Sequence, residues 1–279
     1  MKPLLYRIIL ISLCFIPVLS CLKETPLDAE FEPQVFIYGY LINNTNNIKI
    51  TIQKTVPVNT VVLDPINDAS VFLYTEDPDG TVRLVTNDFQ VSEGVYLSKD
   101  RVVGLIGNKY WIVVVLTDGT TYESVHEPLK EPIQIKTISK VDGYPRVVFK
   151  DPENETNFYQ VHFSFYAKGN LISEVFELSN DILFNGNENA FIETLTNGGD
   201  VVGVSLSNLN FHTYEYYVAT HEQYESQVDF GDPETTEPFL IFSKPPMNLV
   251  GNIRNTTANE TALGFFGVFS IDYREAIFN

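Results

Sequence analysis

The sequence predicts an all-β protein built as two tandem β-sandwich domains, the first of them immunoglobulin-like. Three observations carry this. Period-two alternation of apolar and polar residues runs through nearly the whole chain, while helical spacing scarcely appears. Compact turn signatures, Asp77-Pro78-Asp79-Gly80 and Asp118-Gly119, join alternating segments. Glu127-Pro128 and Glu131-Pro132 then close a first block of strands, because proline donates nothing to a ladder and marks the edges of pairing.

Taken in order, Val35 to Ile42 (VFIYGYLI) is apolar on both faces and reads as a central strand, with Gly39 where another backbone or ring packs close. In Asn47 to Lys54, Ile48, Ile50 and Ile52 face one way and Lys49, Thr51 and Gln53 the other, the mark of a half-buried strand. Ala69 to Thr75 and Gly80 to Thr86 form a hairpin. Gly94 to Ser98 follows, and Tyr110 to Thr117 pairs with Thr121 to Val125 across Asp118-Gly119. The block from Val35 to Pro132 is close to the ~100 residues of a seven-stranded immunoglobulin-like sandwich, so domains are expected at 35–132 and 133–279.

Beyond the link, Ile133 to Val141, Arg146 to Lys150, Phe158 to Ala167, Leu171 to Leu178, Phe191 to Leu195 and Val201 to Leu206 read as strands of a second sandwich. In FYQVHFSFYA, Val161, Phe163 and Phe165 share a face opposite Gln160, His162 and Ser164. Phe211 to Ala219 continues the strand pattern, Thr220 to Gln227 is expected to be a short helix, and Ala262 to Tyr273 closes the chain with Leu263, Phe265, Phe269 and Ile271 on one side.

The first residues, MKPLLYRIILISLCFIPVLSCLKETP, pose a separate question. Ile8 to Leu19 supplies 12 residues interrupted by Ser12 and Pro17, too short for the about 20 that a spanning helix needs. Lys2 and Arg7 before it and a small residue after it make the layout of a secretory signal over residues 1–20. Val18-Leu19-Ser20-Cys21 resembles the lipobox of bacterial lipoproteins, which implies a diacylglyceryl group on the Cys21 thiol and a membrane lipid anchor. The alternative is an ordinary signal peptide with Cys21 incidental. Cys14, the only other cysteine, lies in the leader and leaves Cys21 no disulfide partner, which favours lipidation. Acyl chains contribute about 0.8 kcal/mol per buried CH₂, and stable anchoring takes more than one. Residues 21–34, polar, acidic and proline-flanked, suit a tether.

Hydrophobic residues are 44% and charged residues 19% of the chain, a globular composition. The formal charge is −18, and without Lys2 and Arg7 there remain 16 basic against 36 acidic residues, a balance of −20. A polyanion is repelled by phosphate backbones and anionic lipid surfaces, which argues against nucleic acid as a partner.

The chemistry sought in the sequence is mostly missing. His221-Glu222-Gln223-Tyr224-Glu225 begins like a zinc-protease motif, but Glu225 stands where the second histidine belongs. His126, His162 and His212 show no ligand spacing. Asp77 with Asp79, or Asp229, Asp232 and Glu234, offer oxygen ligands for calcium without following a calcium-loop pattern, so turn chemistry is expected there. No nucleophile elbow and no phosphate-cradling glycine loop occurs. No metal, cofactor or catalytic residue is therefore expected, and the protein reads as a non-enzyme. Tyr214, Tyr216, Tyr217 and Tyr224 form an aromatic subset that, if exposed, suits stacking on sugars or gripping a protein.

Six stretches stand out: VFIYGYLIN with its central glycine, NDASVFLYTEDPDG and VVGLIGNKYWIVVVLTDGTTYESVHEPL early in the chain, and FGDPETTEPF, Pro246 to Ile253 and Leu263-Gly264-Phe265-Phe266 near its end. Together they resemble a family of exported lipoproteins of Bacteroidetes-type bacteria known as domain of unknown function DUF4249. Arg254 to Thr261 (RNTTANET) looks longer than that family's usual link. Members are typically encoded beside TonB-dependent outer-membrane receptors. The resemblance thus implies an outer-membrane lipoprotein assisting such a receptor in nutrient uptake. Lys23-Glu24 resembles the charged signal that sends some lipoproteins to the outer surface. An independent adhesion module for glycans or proteins is the alternative, and a hydrolase is least favoured.

Overall fold

The alternating segments pair into strands in a computed structural model, which describes residues 31–57, 60, 62–153, 155–228 and 249–278, with helical side chains described as far as Gln223. First come β1 (Val35–Ile42), the bridge β2 (Thr45–Asn46), β3 (Lys49–Lys54), the bridge β4 (Asp64–Pro65), β5 (Ser70–Glu76), β6 (Val82–Thr86), β7 (Phe89–Ser92) and β8 (Val95–Ser98). The bridge β9 (Val102–Val103), β10 (Lys109–Val115), β11 (Thr121–Ser124) and the bridge β12 (Glu127–Pro128) complete this stretch. There follow β13 (Ile135–Val141), β14 (Tyr144–Phe149), β15 (Phe158–Ala167), β16 (Asn170–Asn180), β17 (Ala190–Glu193) and β18 (Val201–Leu209). Helix α1 (Phe211–Val228), β19 (Val250–Asn255) and β20 (Glu260–Ile277) end the series. The all-β expectation holds, and the described residues from Pro33 onward belong to one compact unit.

Ten strands form one hydrogen-bonded path, β6-β5-β10-β11-β19-β20-β1-β3-β8-β7. The path curls. Ile50 and Ile52 of β3 and Val71 and Leu73 of β5, far apart along it, bury in one apolar core with Ile112, Val114, Ile253 and Val268. Tyr96 of β8 helps fasten the closure by donating to the Ile66 carbonyl (3.0 Å) and accepting from the Ala69 N–H (2.9 Å). A second core lies between the sheet β13-β14-β17 and the strands β16-β15-β18-β20, filled by Phe149, Tyr159, Val161, Phe163, Phe165, Val204 and Leu206.

β20 joins the ten-strand path to the strands β18-β15-β16 within one sheet. It runs parallel to β1 from Phe36↔Leu263 to Ile42↔Phe269, then antiparallel to β18 from Asn208↔Ser270 to Val201↔Ile277. The boundary expected at 132/133 is therefore crossed, since Ile253, Ala262, Phe266 and Val268 return to the first core. Residues 133–279 do not stand apart as a chain-contiguous second sandwich. The physical reason lies in β1: apolar on both faces, it is buried as a central strand, and its backbone N–H and C=O groups then need a partner strand at each edge; β3 supplies one and β20 the other.

Asparagine side chains hold β20 where its ladder changes partner. Asn252 donates to the Phe266 carbonyl and accepts from the Phe266 N–H, both at 2.8 Å. Asn210 donates to the Val268 carbonyl (2.6 Å), and Asn43 accepts from the Ile271 N–H (2.8 Å). Beyond them, the Asp272 carboxylate accepts from the Ile135 N–H at 2.8 Å.

Two local expectations are corrected. Phe211–Ala219, expected as a strand, is the first half of α1. Thr213, Tyr216, Tyr217 and Thr220 recur at i, i+3, i+4 and i+7 and so share one helical face. Tyr216 from that face stacks on Phe265 of β20, with centroids 4.7 Å apart and planes at 10°. The helix start meets a buried carboxylate: Glu127, 2% exposed, accepts from Thr213 Oγ1 (3.5 Å) and faces His212 Nδ1 (3.0 Å). Negative charge there complements the positive end of the helix dipole. Arg254–Thr261, expected as a long link, is a β19–β20 hairpin in which Asn255 pairs with Glu260 and its side chain accepts from the Thr257 and Ala258 N–H groups.

Candidate functional site

Alternation places every second residue of β15, β16, β18 and β20 on the face turned away from the second core. The registers align these residues in rows across the four strands. One row is Phe176, His162, Ser205 and Tyr273; the next is Glu174, Ser164, Gly203 and Glu275. Ser207 lies on the same face one row nearer the helix. Phe176 and Tyr273 are 51% and 52% exposed, while Ser164 and Ser207 on the floor between them are buried.

Both rings are held in place. Phe176 stacks on the His162 imidazole with centroids 4.1 Å apart and planes at 8°. His162 Nε2 lies 3.0 Å from Glu174 Oε1. Tyr273 covers Gly203, where an added Cβ would stand 2.8 Å from the phenol oxygen and 3.3 Å from the ring edge. The Tyr273 hydroxyl donates to Glu275 at 2.6 Å. That bond, with a smaller contribution from burial, pushes the phenol up to about 12. The result is a shallow polar trough flanked by fixed rings, on a face that no other described strand covers.

Ser164, His162 and Glu174 meet here, and their geometry differs from a nucleophilic triad. Both Ser164 Oγ (3.4 Å) and Glu174 Oε1 (3.0 Å) approach the same ring nitrogen, Nε2, and Ser164 also lies 3.4 Å from that carboxylate. A triad needs the hydroxyl and the carboxylate on opposite ring nitrogens, so that one takes the proton while the other orients the ring.

The other residues singled out from the sequence take up separate places. His126 stacks on Trp111 (3.7 Å) and pairs with Glu123 (2.8 Å). His212 is raised above its usual pKa chiefly by its hydrogen bond to Glu127. His221 lies in α1. Asp77 accepts from Arg83 and Asn108, and Asp79 accepts from the Thr81 N–H, as turn residues do. Among the described residues, no group of three His, Cys, Asp or Glu side chains is placed to hold a metal ion. Cys21, Asp229, Asp232, Glu234 and the side chains of Tyr224 and Glu225 lie outside the described residues.

Three of the four tyrosines expected as an exposed set, Tyr214, Tyr216 and Tyr217, are packing residues instead. Tyr216 is buried, Tyr217 lies 6.0 Å from Phe265, and Tyr214 leans on Phe158 at 4.9 Å. Burial, the largest cause, and interaction with Tyr38 and Tyr40 push the Tyr217 phenol well above its usual range. Two open rings of this face are Phe176 and Tyr273, which no local pattern pairs. Their strand neighbour FYQVHFSFYA did show its polar face, Gln160, His162 and Ser164.

Among the described residues, no helix is long and apolar enough to cross a membrane. No curated protein matches the chain. Residues 23–275 match the family model described as a domain of unknown function, DUF4249. With that match extending from before β1 almost to the end of β20, the chain belongs to the DUF4249 family.

Proposed function

We propose that the protein is a non-enzymatic, lipid-anchored binding protein of the outer membrane. In this reading Cys21 carries the lipid, residues 21–34 act as the tether, and the β-rich body helps a TonB-dependent receptor capture or admit its substrate. The observation that carries it is the open outer face of β16-β15-β18-β20, where two fixed rings and several polar groups face solvent on a rigid sheet. Sites built on strands hold their geometry better than sites on loops. The Ser164, His162 and Glu174 arrangement supports binding over hydrolysis, since it lacks the opposed contacts of a proton relay.

Two measurements test the proposal. Metabolic labelling with palmitate should mark the wild-type product and leave Cys21→Ser unmarked; label retained by Cys21→Ser overturns the anchor. Gentle detergent extraction of the tagged full chain should bring down an outer-membrane receptor, and repeated recovery of the chain alone overturns the partnership.

A further inference from the structure

We infer that the trough on the outer face of β16-β15-β18-β20 is a binding site for a neutral oligosaccharide. This deepens the capture role proposed above by naming the ligand class.

The rings come first. Sugar rings present flat C–H faces, and aromatic side chains receive such faces best when already held in place, because little side-chain freedom is then lost on binding. Phe176 is fixed against His162, and Tyr273 is fixed against Gly203 with its hydroxyl on Glu275. Both keep about half their surface open. Their strands lie three ladder spacings apart, on the order of 14 Å, with Tyr273 leaning in over β18 and the His162 ring standing between it and Phe176, so a ligand that touches both rings is an oligomer rather than a single sugar.

The floor comes second. Ser164, Ser205 and Ser207 are small and leave room beside the rings, while Gly203 makes the seat on which Tyr273 rests. Glu174 and Glu275 supply acceptors for hydroxyl donors. Each carboxylate already has a local donor, His162 for Glu174 and Tyr273 for Glu275. Their remaining lone pairs suit hydroxyl groups without requiring a counter-ion.

Other ligand classes fit less well. Protein interface cores are depleted in Glu and Ser, the residues that line this trough. Anionic ligands meet two carboxylates on a chain of net charge −18.

The test uses the full-length chain in detergent and a panel of cello-, xylo-, manno- and malto-hexaose. Polygalacturonate and heparin serve as anionic members and spermidine as a cationic one. Calorimetry should detect at least one neutral hexaose at millimolar concentration or below. Tyr273→Ala and Phe176→Ala should each weaken that binding about tenfold, and Gly203→Ala should weaken it by lifting the Tyr273 ring. Leu97→Ala, an exposed change on β8, should leave it unaltered. Unchanged thermal midpoints for the two ring variants confirm that they fold. Failure to bind any neutral hexaose, preference for a charged member, or binding that survives the combined Tyr273→Ala and Phe176→Ala change overturns the inference. A chain that co-purifies with a receptor but binds no sugar sinks this inference alone; one that binds sugar without a receptor sinks only the partnership.

Discussion

The two halves of β20 present the same outer face to different surroundings. In the first half, Phe265 and Phe269 lie under α1 and are buried with Tyr216 and Tyr217 against them. In the second half, Tyr273 and Ile277 continue the same alternation and face solvent. One strand thus carries a packed seam and an open surface within 18 residues. The difference teaches that an aromatic residue on a strand reveals nothing about its role until its cover is known. The covered rings hold the helix on the sheet, and the uncovered ones are available to a ligand.

The comparison breaks if the two halves respond alike to truncation. Phe265→Ala should destabilise the fold by about 3–5 kcal/mol, read from the denaturant midpoint. Tyr273→Ala should stay within about 0.5 kcal/mol, and equal losses would show that both halves are structural. Next in size is Asn252→Ala, which leaves the Phe266 N–H and carbonyl without their side-chain partner. A buried unpaired group costs about 1–3 kcal/mol, so an unaltered midpoint would remove the asparagine from any role in holding β20.

The helix end of the covered half sharpens the contrast through pH. The pKa of His212 is raised above 6.5 chiefly by its hydrogen bond to Glu127. A raised folded-state pKa means that the pair's stabilisation is fully present below the unfolded value and disappears as pH rises through the folded one. The thermal midpoint of wild type relative to His212→Gln should therefore be higher at about pH 5.5 and converge in alkaline solution. A gap that widens with pH contradicts the pairing. The smallest effect belongs to the open half: Glu275→Gln should bring the Tyr273 phenol down from about 12 toward its ordinary 10.0, as followed by ultraviolet titration, with no change in fold.

Much of the strand content was legible because alternation is a local property. Ile48, Ile50 and Ile52 announced β3, and all three are buried as one face requires. Gly39 announced a close approach: a Cβ there would stand 2.9 Å from the Lys49 carbonyl oxygen. The helix was missed because Tyr214, Glu215 and Tyr216 alternate aromatic and polar residues in the middle of FHTYEYYVA; the competing signal, Thr213, Tyr216, Tyr217 and Thr220 at helical spacing, needed a sheet beneath it to decide. The return of β19 and β20 to the first core left no local mark, since partner choice between distant strands depends on which edges remain open. The candidate trough was half readable. FYQVHFSFYA displayed its polar face, but only the register brings Phe176 and Tyr273 into one row.

The parallel pairing of β1 with β20 also bears on when the protein can fold. A chain emerging from its N-terminus makes Phe36 early and Leu263, its ladder partner, more than two hundred residues later. Until residues through Phe269 are available, β1 keeps one row of backbone N–H and C=O groups unpaired and the first core lacks Phe266 and Val268. Such distant pairings close slowly because the intervening loop must first be ordered. The nascent polypeptide would thus complete this core only when nearly all of its residues have been made.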